Sequence, residues 1–254
     1  MKALHYFLLT LFLLSTLILS GQSQNPKQAD RMWLLGAQAG LNFPAGEWTD
    51  RYGQSFSIGA NVGRKFRSNL ILSLEGEYLF GGEVPDRQNA LRNVFTDNGN
   101  LINTTGNYAV VNINQRGTHF HLSLEKLFPK TGPNLNSGLG LGLGAGYGFY
   151  WLNIDNVNND SPQILDEYKK GYDRLSSGFS LKQNISYLYL SPNRMINFKL
   201  SFEVSEIWTQ DLRKYYYPTG LLSSDPQLNF MYSLKLKWYI PIYLGGVKEE
   251  YYLD

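Results

Sequence analysis

The sequence predicts an all-β protein, an eight-stranded antiparallel transmembrane β-barrel with short periplasmic turns and long extracellular loops. Three observations predict this fold class: strands that alternate apolar with polar or glycine residues, an even number of such strands, and connections that alternate in length. Successive side chains of a strand point to opposite faces. In a membrane barrel, one face contacts lipid and the other faces the lumen.

The clearest strand is residues 137–151, with the sequence SGLGLGLGAGYGFYW. Every even position from 138 to 148 is glycine, and the odd positions from 139 to 151 are apolar or aromatic. Glycine inside a strand is unfavourable and often marks a close approach by another group. We therefore predict that the apolar face contacts lipid and ends in an aromatic girdle. The glycine face then provides room inside a narrow barrel.

The N-terminus is predicted to be a secretory signal peptide, residues 1–23, with Lys2 followed by an apolar run and small residues. A single anchoring helix is the alternative, but the run is short and SGQSQ is not a stop-transfer flank. Residues 24–31 are then a short N-terminal periplasmic segment and 32–244 the outer-membrane barrel. Residues 245–254 form a C-terminal periplasmic tail, and the predicted location is the cell outer membrane.

The remaining strands follow the same period of two, and Gln183 is an exception on an apolar face. The eight predicted strands are 32–43, 54–66, 70–80, a part of 108–128, 137–151, 179–189, 196–205 and 229–242. Short turns follow the second, fourth and sixth strands, whereas polar connections of about twenty residues follow the third, fifth and seventh, as expected of outer-membrane barrels. A soluble β-sandwich could have the same strand count, but its outer faces would not be apolar on every strand.

Aromatic residues fall at both ends of the predicted strands, where a barrel meets the membrane surfaces. The loop end carries Phe80, Trp151 and Trp208, and the turn end carries Trp33, Tyr187 and Trp238.

Composition excludes several other classes. Apart from the N-terminal run, no stretch is apolar for the roughly 20 residues that a membrane helix needs. The chain has no cysteine, which excludes a disulfide framework, a thiolate metal site and a cysteine nucleophile. Its net charge of +2 does not indicate nucleic-acid binding.

The signal peptide, the AQAGLNFPAG opening, the alternating strands and GLGLGLGAGYGFY together resemble small outer-membrane barrels of the OmpA/OmpX-like and PorT-like kind. The resemblance covers most of the mature chain and implies fold and location more than activity. One departure is visible at the C-terminus. Such barrels commonly end on an aromatic residue, whereas here a tail to Asp254 follows Tyr243.

Charged residues on the predicted lumen face are balanced in number. We predict a connected charge network of Glu75, Glu77, Glu125, Glu203, Lys182, Lys199, Lys235 and Lys237. Since unpaired buried charge is costly, these side chains should pair into a polar plug that holds the barrel rigid. A narrow ion or proton path is the alternative.

His119, His121 and Ser123 alternate on one predicted face, and His121 with Ser123 could serve as base and nucleophile of a lipid A deacylase. This enzymatic alternative requires access to lipid, whereas the predicted face is the lumen. A metal site of His119, His121 and Glu125 is disfavoured, because three ligands on one strand cannot surround an ion. We predict no catalytic residues, no metal and no cofactor.

Two loop clusters combine cations with aromatic residues that could contact lipopolysaccharide phosphates or a protein partner. Loop-on-loop packing is the alternative for these residues, which are Lys169, Lys170, Arg213, Lys214, Tyr215, Tyr216 and Tyr217. The functional hypothesis is a non-enzymatic outer-membrane protein, either structural or an accessory subunit of a larger export or assembly complex. Its expected partners are outer-membrane lipid, lipopolysaccharide and such a complex, and not nucleic acid.

Overall fold

The computed structural model of the chain describes residues 29–222 and 225–244. The predicted signal peptide and the predicted C-terminal tail lie outside these residues. Eight long strands dominate the described part, and we number them in chain order. They are β1 Met32–Ala45, β2 Ser55–Lys65, β3 Leu70–Gly81, β4 Val111–Phe128, β5 Gly138–Asn156, β6 Ser176–Leu190, β7 Asn197–Asp211 and β8 Gln227–Tyr243.

The eight strands form a closed antiparallel barrel in which each strand pairs with its neighbours in the chain. Strand β8 returns to β1, and their pairing runs from Met32 opposite Tyr243 to Ala45 opposite Phe230. Each strand of this sheet is paired on both sides. The backbone N–H and C=O groups of the strands are thereby hydrogen-bonded within the protein, as the lipid interior requires. The predicted fold class is confirmed.

The two faces of the strands separate as the alternation predicts. Outward residues such as Leu74, Phe120 and Leu122 are more than half exposed. Lipid-facing side chains have this exposure when the surrounding lipid is not counted. Inward residues such as Asn42 and Ser201 are buried. Gln183 is outward, and its amide nitrogen lies 3.5 Å from a carboxylate oxygen of Glu206 on the neighbouring strand.

Aromatic side chains at the loop end of the barrel pack against one another between strands. Phe80 stacks on Phe56 and Trp208 on Phe179, with ring centroids 6.1 and 6.2 Å apart. At the turn end, the guanidinium of Arg64 lies 5.5 Å from the ring centroid of Trp33. These positions are typical of the interfacial belts of a membrane barrel.

Strand β5 extends to Asn156, beyond the predicted end at residue 151, and this boundary was wrong. Its alternation reverses after Trp151: Leu152 and Ile154 are buried inside, whereas Asn153 and Asp155 face outward. Where a barrel strand extends beyond the membrane, its outer face contacts water and is polar, as in a soluble protein. A prediction based on apolar outer faces therefore places the end of the strand too early.

The long connections also contain short elements. Short helices lie at Gly46–Asp50, Arg87–Ala90, Pro129–Thr131, Pro162–Ile164 and Asp166–Lys169, and two-residue strands at Leu101–Ile102, Tyr108–Ala109, Tyr215–Tyr216 and Gly220–Leu221. Within the described residues, none of the helices has the length and apolar character needed to cross a membrane.

The interior of the barrel has three layers. An apolar layer closes the turn end and includes Leu34, Leu127 and Leu188. A polar middle layer carries the buried lysines and glutamates. A second and larger apolar layer closes the loop end, where Trp48 and Leu91 of the loops pack on inward residues of the strands.

The glycine face of β5 lies against side chains of its two neighbours, β4 and β6. A Cβ atom added at Gly142 would lie 2.4 Å from the amide oxygen of Asn184, and one at Gly140 2.6 Å from the hydroxyl of Ser186. Near Gly144, the Cε atom of Lys182 would lie 3.4 Å from an added Cβ. From Gly140 to Gly146, the groups nearest to the added Cβ atoms all belong to β4 and β6.

Gly146→Ala should destabilise the barrel, because the added Cβ would lie 2.2 Å from the backbone carbonyl oxygen of Phe120. Backbone cannot rotate away as a side-chain end can, so we expect a loss of about 1–3 kcal/mol of unfolding free energy, typical of overpacking. Urea titration of the refolded protein, followed by the mobility of unboiled samples on a gel, measures this loss.

Gly76→Ala is the matched control, since this outward glycine faces the ring of Phe120 at 3.5 Å, an ordinary contact. It should leave stability unchanged or raise it. Equal destabilisation by the two changes would show that the faces are assigned wrongly.

Candidate functional site: the closed lumen and the extracellular loops

Glu203 of β7 lies at the centre of the polar middle layer, among three lysines. Its carboxylate oxygens lie 3.0 Å from the Nζ atom of Lys235, 3.3 Å from that of Lys237 and 3.4 Å from that of Lys182. All four side chains are at most 2% exposed. Such burial makes the ion pairs obligatory, since a lone charge in this environment would be very costly.

Two further glutamates, both on β3, complete this group. Glu75 contacts Lys182 at 2.6 Å and Lys237 at 2.9 Å. Glu77 contacts Lys235 and also accepts a hydrogen bond of 2.8 Å from the amide of Gln38. Three lysines and three glutamates from β3, β6, β7 and β8 thus form one neutral cluster that crosses the lumen.

The remaining two predicted charges form a separate pair. Lys199 lies 3.0 Å from a carboxylate oxygen of Glu125, and the same oxygen accepts a 2.7 Å hydrogen bond from the amide of Asn184. This second bond passes over Gly142, which lies between Glu125 and Asn184 in the sheet. Among the described residues, ion pairs therefore join six of the eight charges and leave this pair apart, instead of one connected network.

Carboxylate oxygens of Glu75, Glu77 and Glu203 lie within 4.8 Å of one another, a spacing that could suit a metal ion. The ammonium groups of Lys182, Lys235 and Lys237 already contact these carboxylates. The charge of the trio is thereby balanced, and the arrangement does not fit a cation.

The histidines and the serine of β4 face the lumen, but the structure does not pair them for catalysis. The Nε2 atom of His121 lies 2.9 Å from the hydroxyl of Ser180, across Gly146. Within the described part of the chain, Ser123 has no hydrogen-bond partner for its buried hydroxyl. A deacylase needs its base in contact with its nucleophile, and the predicted pair of His121 and Ser123 makes no such contact among the described residues.

His119 lies above these residues and beside Tyr150, with ring centroids 5.0 Å apart. Both of its ring nitrogens are buried and have no hydrogen-bond partner among the described residues. Glu125, the third ligand of the disfavoured metal site, is occupied by Lys199.

The apolar layer at the loop end was missed by the sequence analysis. Trp48 inserts from the first loop, with its ring centroid 4.4 Å from that of Tyr150 and 5.5 Å from that of Tyr52. Burial raises the pKa of the Tyr52 hydroxyl to about 12. The available signal was apolar residues at lumen positions near strand ends, such as Leu79 and Leu152.

The predicted loop cluster at 213–217 is divided by the structure into buried and exposed members. Arg213 donates two hydrogen bonds to the carboxylate of Asp173, at 3.0 and 2.5 Å, which raise the pKa of the guanidinium. Tyr216 is buried, and burial raises its pKa to about 12. Tyr215 and Lys214 remain exposed.

The other loop residues named from the sequence pack locally. Tyr217 lies against Tyr172, with ring centroids 5.0 Å apart. Lys170 pairs at 2.7 Å with Glu167 of the short helix that precedes it, and both side chains are more than half exposed. Lys169 is half-buried. These contacts agree with loop-on-loop packing, while any contact with lipopolysaccharide or a protein stays a prediction.

No protein-family model matches the chain, and no curated protein matches its sequence. Solved structures with a similar fold include Neisserial surface protein A, NspA, which is 11% identical, with 81% of this chain and 96% of that chain covered and a TM-score of 0.42. Ail, the attachment invasion locus protein of Yersinia pestis, is 7% identical, with 84% and 99% covered and a TM-score of 0.42.

The N-terminal β-barrel domain of OprF from Pseudomonas aeruginosa is 10% identical, with 84% of this chain and 99% of that chain covered and a TM-score of 0.37. The closed eight-stranded topology of the chain agrees with the predicted resemblance to small OmpA/OmpX-like barrels. The PorT-like resemblance stays a prediction. Structural similarities at 7–11% sequence identity do not indicate an activity.

Lys235→Ala should destabilise the barrel strongly. It removes the ion-pair partner of Glu77, which would retain only the hydrogen bond from Gln38, and one of three partners of Glu203. Breaking a buried pair from one side typically costs about 3–5 kcal/mol of unfolding free energy. Urea titration in detergent measures the change.

Lys170→Ala is the control, because exposed ion pairs contribute only about 0–1 kcal/mol. Adding Glu77→Gln to Lys235→Ala should recover part of the loss by removing the unpaired charge. Similar small effects of Lys235→Ala and Lys170→Ala would contradict the proposed role of the cluster.

Proposed function

We propose that this chain is a non-enzymatic outer-membrane barrel that conducts no solutes and acts as a structural protein or as an accessory subunit of a larger outer-membrane complex. The closed, three-layered lumen is the observation that carries the proposal. A channel needs a continuous polar path, and a lipid-modifying enzyme needs catalytic groups that reach lipid.

The apolar layers at both ends support closure of the lumen. Water entering from the turn end meets Leu34, Leu127 and Leu188, and water entering from the loop end meets Trp48 and Tyr150, all of them at most 3% exposed. Between these layers the charges are paired with one another, and an eight-stranded barrel is only wide enough for its own side chains.

The outer surface supports residence in the outer membrane, with membrane lipid and lipopolysaccharide as its surroundings. An apolar band runs around the strands, and aromatic residues flank it at both ends. Backbone groups in lipid must be satisfied within the protein, and a closed barrel achieves this with strands.

An exposed apolar patch on the loops supports a protein partner. It lies where the loop ends of β4 and β5 approach the hairpin formed by the two-residue strands Leu101–Ile102 and Tyr108–Ala109. The patch consists of Ile102, Tyr108, Val110 and Val157, which are 45–65% exposed. Ile102 lies opposite Tyr108, and the amide of Val157 donates to the carbonyl of Val110. Clusters of exposed apolar side chains outside the membrane often mark interaction sites.

Planar-bilayer recordings of the inserted protein should show no stable large conductance. Trp48→Ala should remain closed as well, because the polar layer and the turn-end layer persist. A shift in gel mobility between unboiled and boiled samples verifies that the barrel is folded. A steady large conductance of the unchanged protein would end this proposal.

If the protein is an accessory subunit, purification from its own membranes in mild detergent should retain a larger partner. A double change, Tyr108→Ala with Val157→Ala, should release that partner while the barrel stays folded. Tyr168→Ala is the control, because this tyrosine is 59% exposed but lies outside the patch, on the short helix Asp166–Lys169. Retention of the partner by the double variant would exclude the patch as its binding surface.

A further inference from the structure

Two arginines from different parts of the chain converge on one carboxylate at the extracellular mouth of the barrel. Arg51 follows the first loop helix, Arg174 precedes β6, and Asp211 is the last residue of β7. The Nη1 atom of Arg51 lies 3.5 Å from one Asp211 oxygen, and the Nε atom of Arg174 lies 3.9 Å from the other. These contacts set two positive charges against one negative charge.

Most donors of the two guanidinium groups have no acceptor among the described residues. Each guanidinium carries five N–H donors. Arg51 contacts Asp211 and the side-chain oxygen of Gln227, the latter at 3.1 Å. The buried Nε of Arg174 has no hydrogen-bond partner among the described residues. Its guanidinium lies 5.4 Å from the ring centroid of Tyr216, which supports it from one side.

Among the described residues, the ion pairs of Arg51 and Arg174 are both with Asp211, so one of the two positive charges is not balanced by an ion pair. Asp173 is the adjacent acid in sequence, but Arg213 already holds both of its oxygens. Burial, and next the nearby Arg51, lower the pKa of the Arg174 guanidinium. Asp211 opposes this change.

The site is held in place by the fold and is partly exposed. The side chains of Arg51 and Arg174 are 11% and 21% exposed, so each has some contact with solvent. Arg174 has a φ of 44°, in the left-handed region that non-glycine residues rarely adopt. Such a backbone persists only where its surroundings fix it, and it is found disproportionately at binding sites.

We propose that Arg51 and Arg174 form an anion-binding site at the extracellular mouth that takes a tetrahedral oxyanion, a phosphate or phosphate ester. A planar carboxylate is already present as Asp211 and leaves most donors unused. A phosphoryl group offers three strong acceptor oxygens, and guanidinium groups bind such oxygens in pairs. The site goes beyond the proposed function, because it requires neither a closed lumen nor a protein partner.

Calorimetric titration of the refolded full barrel in detergent with inorganic phosphate tests the site, with chloride used to keep ionic strength constant. Arg174→Gln should weaken phosphate binding roughly 10- to 150-fold, the effect of losing a charge-assisted hydrogen bond. Lys214→Gln is the matched control, since it removes an exposed cation from a neighbouring loop and should leave binding unchanged. Equal weakening by both changes, or no measurable phosphate binding, would overturn the proposal.

Asp211→Asn gives a second and opposite test. Removing the competing carboxylate should tighten phosphate binding, and phosphate should raise the unfolding temperature of this variant more than that of the unchanged protein. If Asp211 instead completes the site, the variant will be destabilised and phosphate will not rescue it, which would overturn the proposal.

The same chemistry could come from a free phosphate compound or from lipopolysaccharide. Repeating the titration in vesicles of phosphatidylethanolamine, with and without lipopolysaccharide, separates the two sources. Competition from lipopolysaccharide would identify its phosphates as the ligand, and unchanged binding would identify a soluble phosphate.

Discussion

The glycine face of β5 is the constraint on which the interior depends. Because six successive inward positions carry no side chain, residues of β4 and β6 meet across the strand that separates them. Glu125 bonds to Asn184 over Gly142, and His121 approaches Ser180 over Gly146. Strand propensity is sacrificed here, and the compensation is a polar layer whose members reach one another inside a narrow barrel.

Closure at both ends makes this layer obligatory. The apolar layers exclude water, and in the resulting low dielectric an unpaired charge would be far more costly than in a wet pore. Buried ion pairs are often no more stabilising than apolar packing. The cluster around Glu203 is therefore better understood as a condition for keeping charges in a closed lumen than as the main source of stability.

Sequence alone predicted which residues face lipid and which face the lumen, because the period of two is insensitive to the exact pairing of strands. It could not predict which lysine meets which glutamate, since partners such as Lys182 and Glu75 lie on strands that are not adjacent. It also missed the apolar layers, because Leu34 and Leu152 look like exceptions within a lumen face. It could not bring Arg51, Arg174 and Asp211 together, because two different loops and the end of β7 supply them.

The two charged groups differ in a way that indicates where ligand binding resides. Inside the lumen three lysines meet three glutamates, with side chains at most 3% exposed, so the group is neutral and inaccessible. At the mouth two arginines meet one aspartate, and both arginines are in part exposed. An electrostatic field can attract a ligand only where charge is unbalanced and solvent has access. The proposed anion site therefore lies at the end of the barrel where charge is unbalanced, above a lumen whose charges are paired and buried.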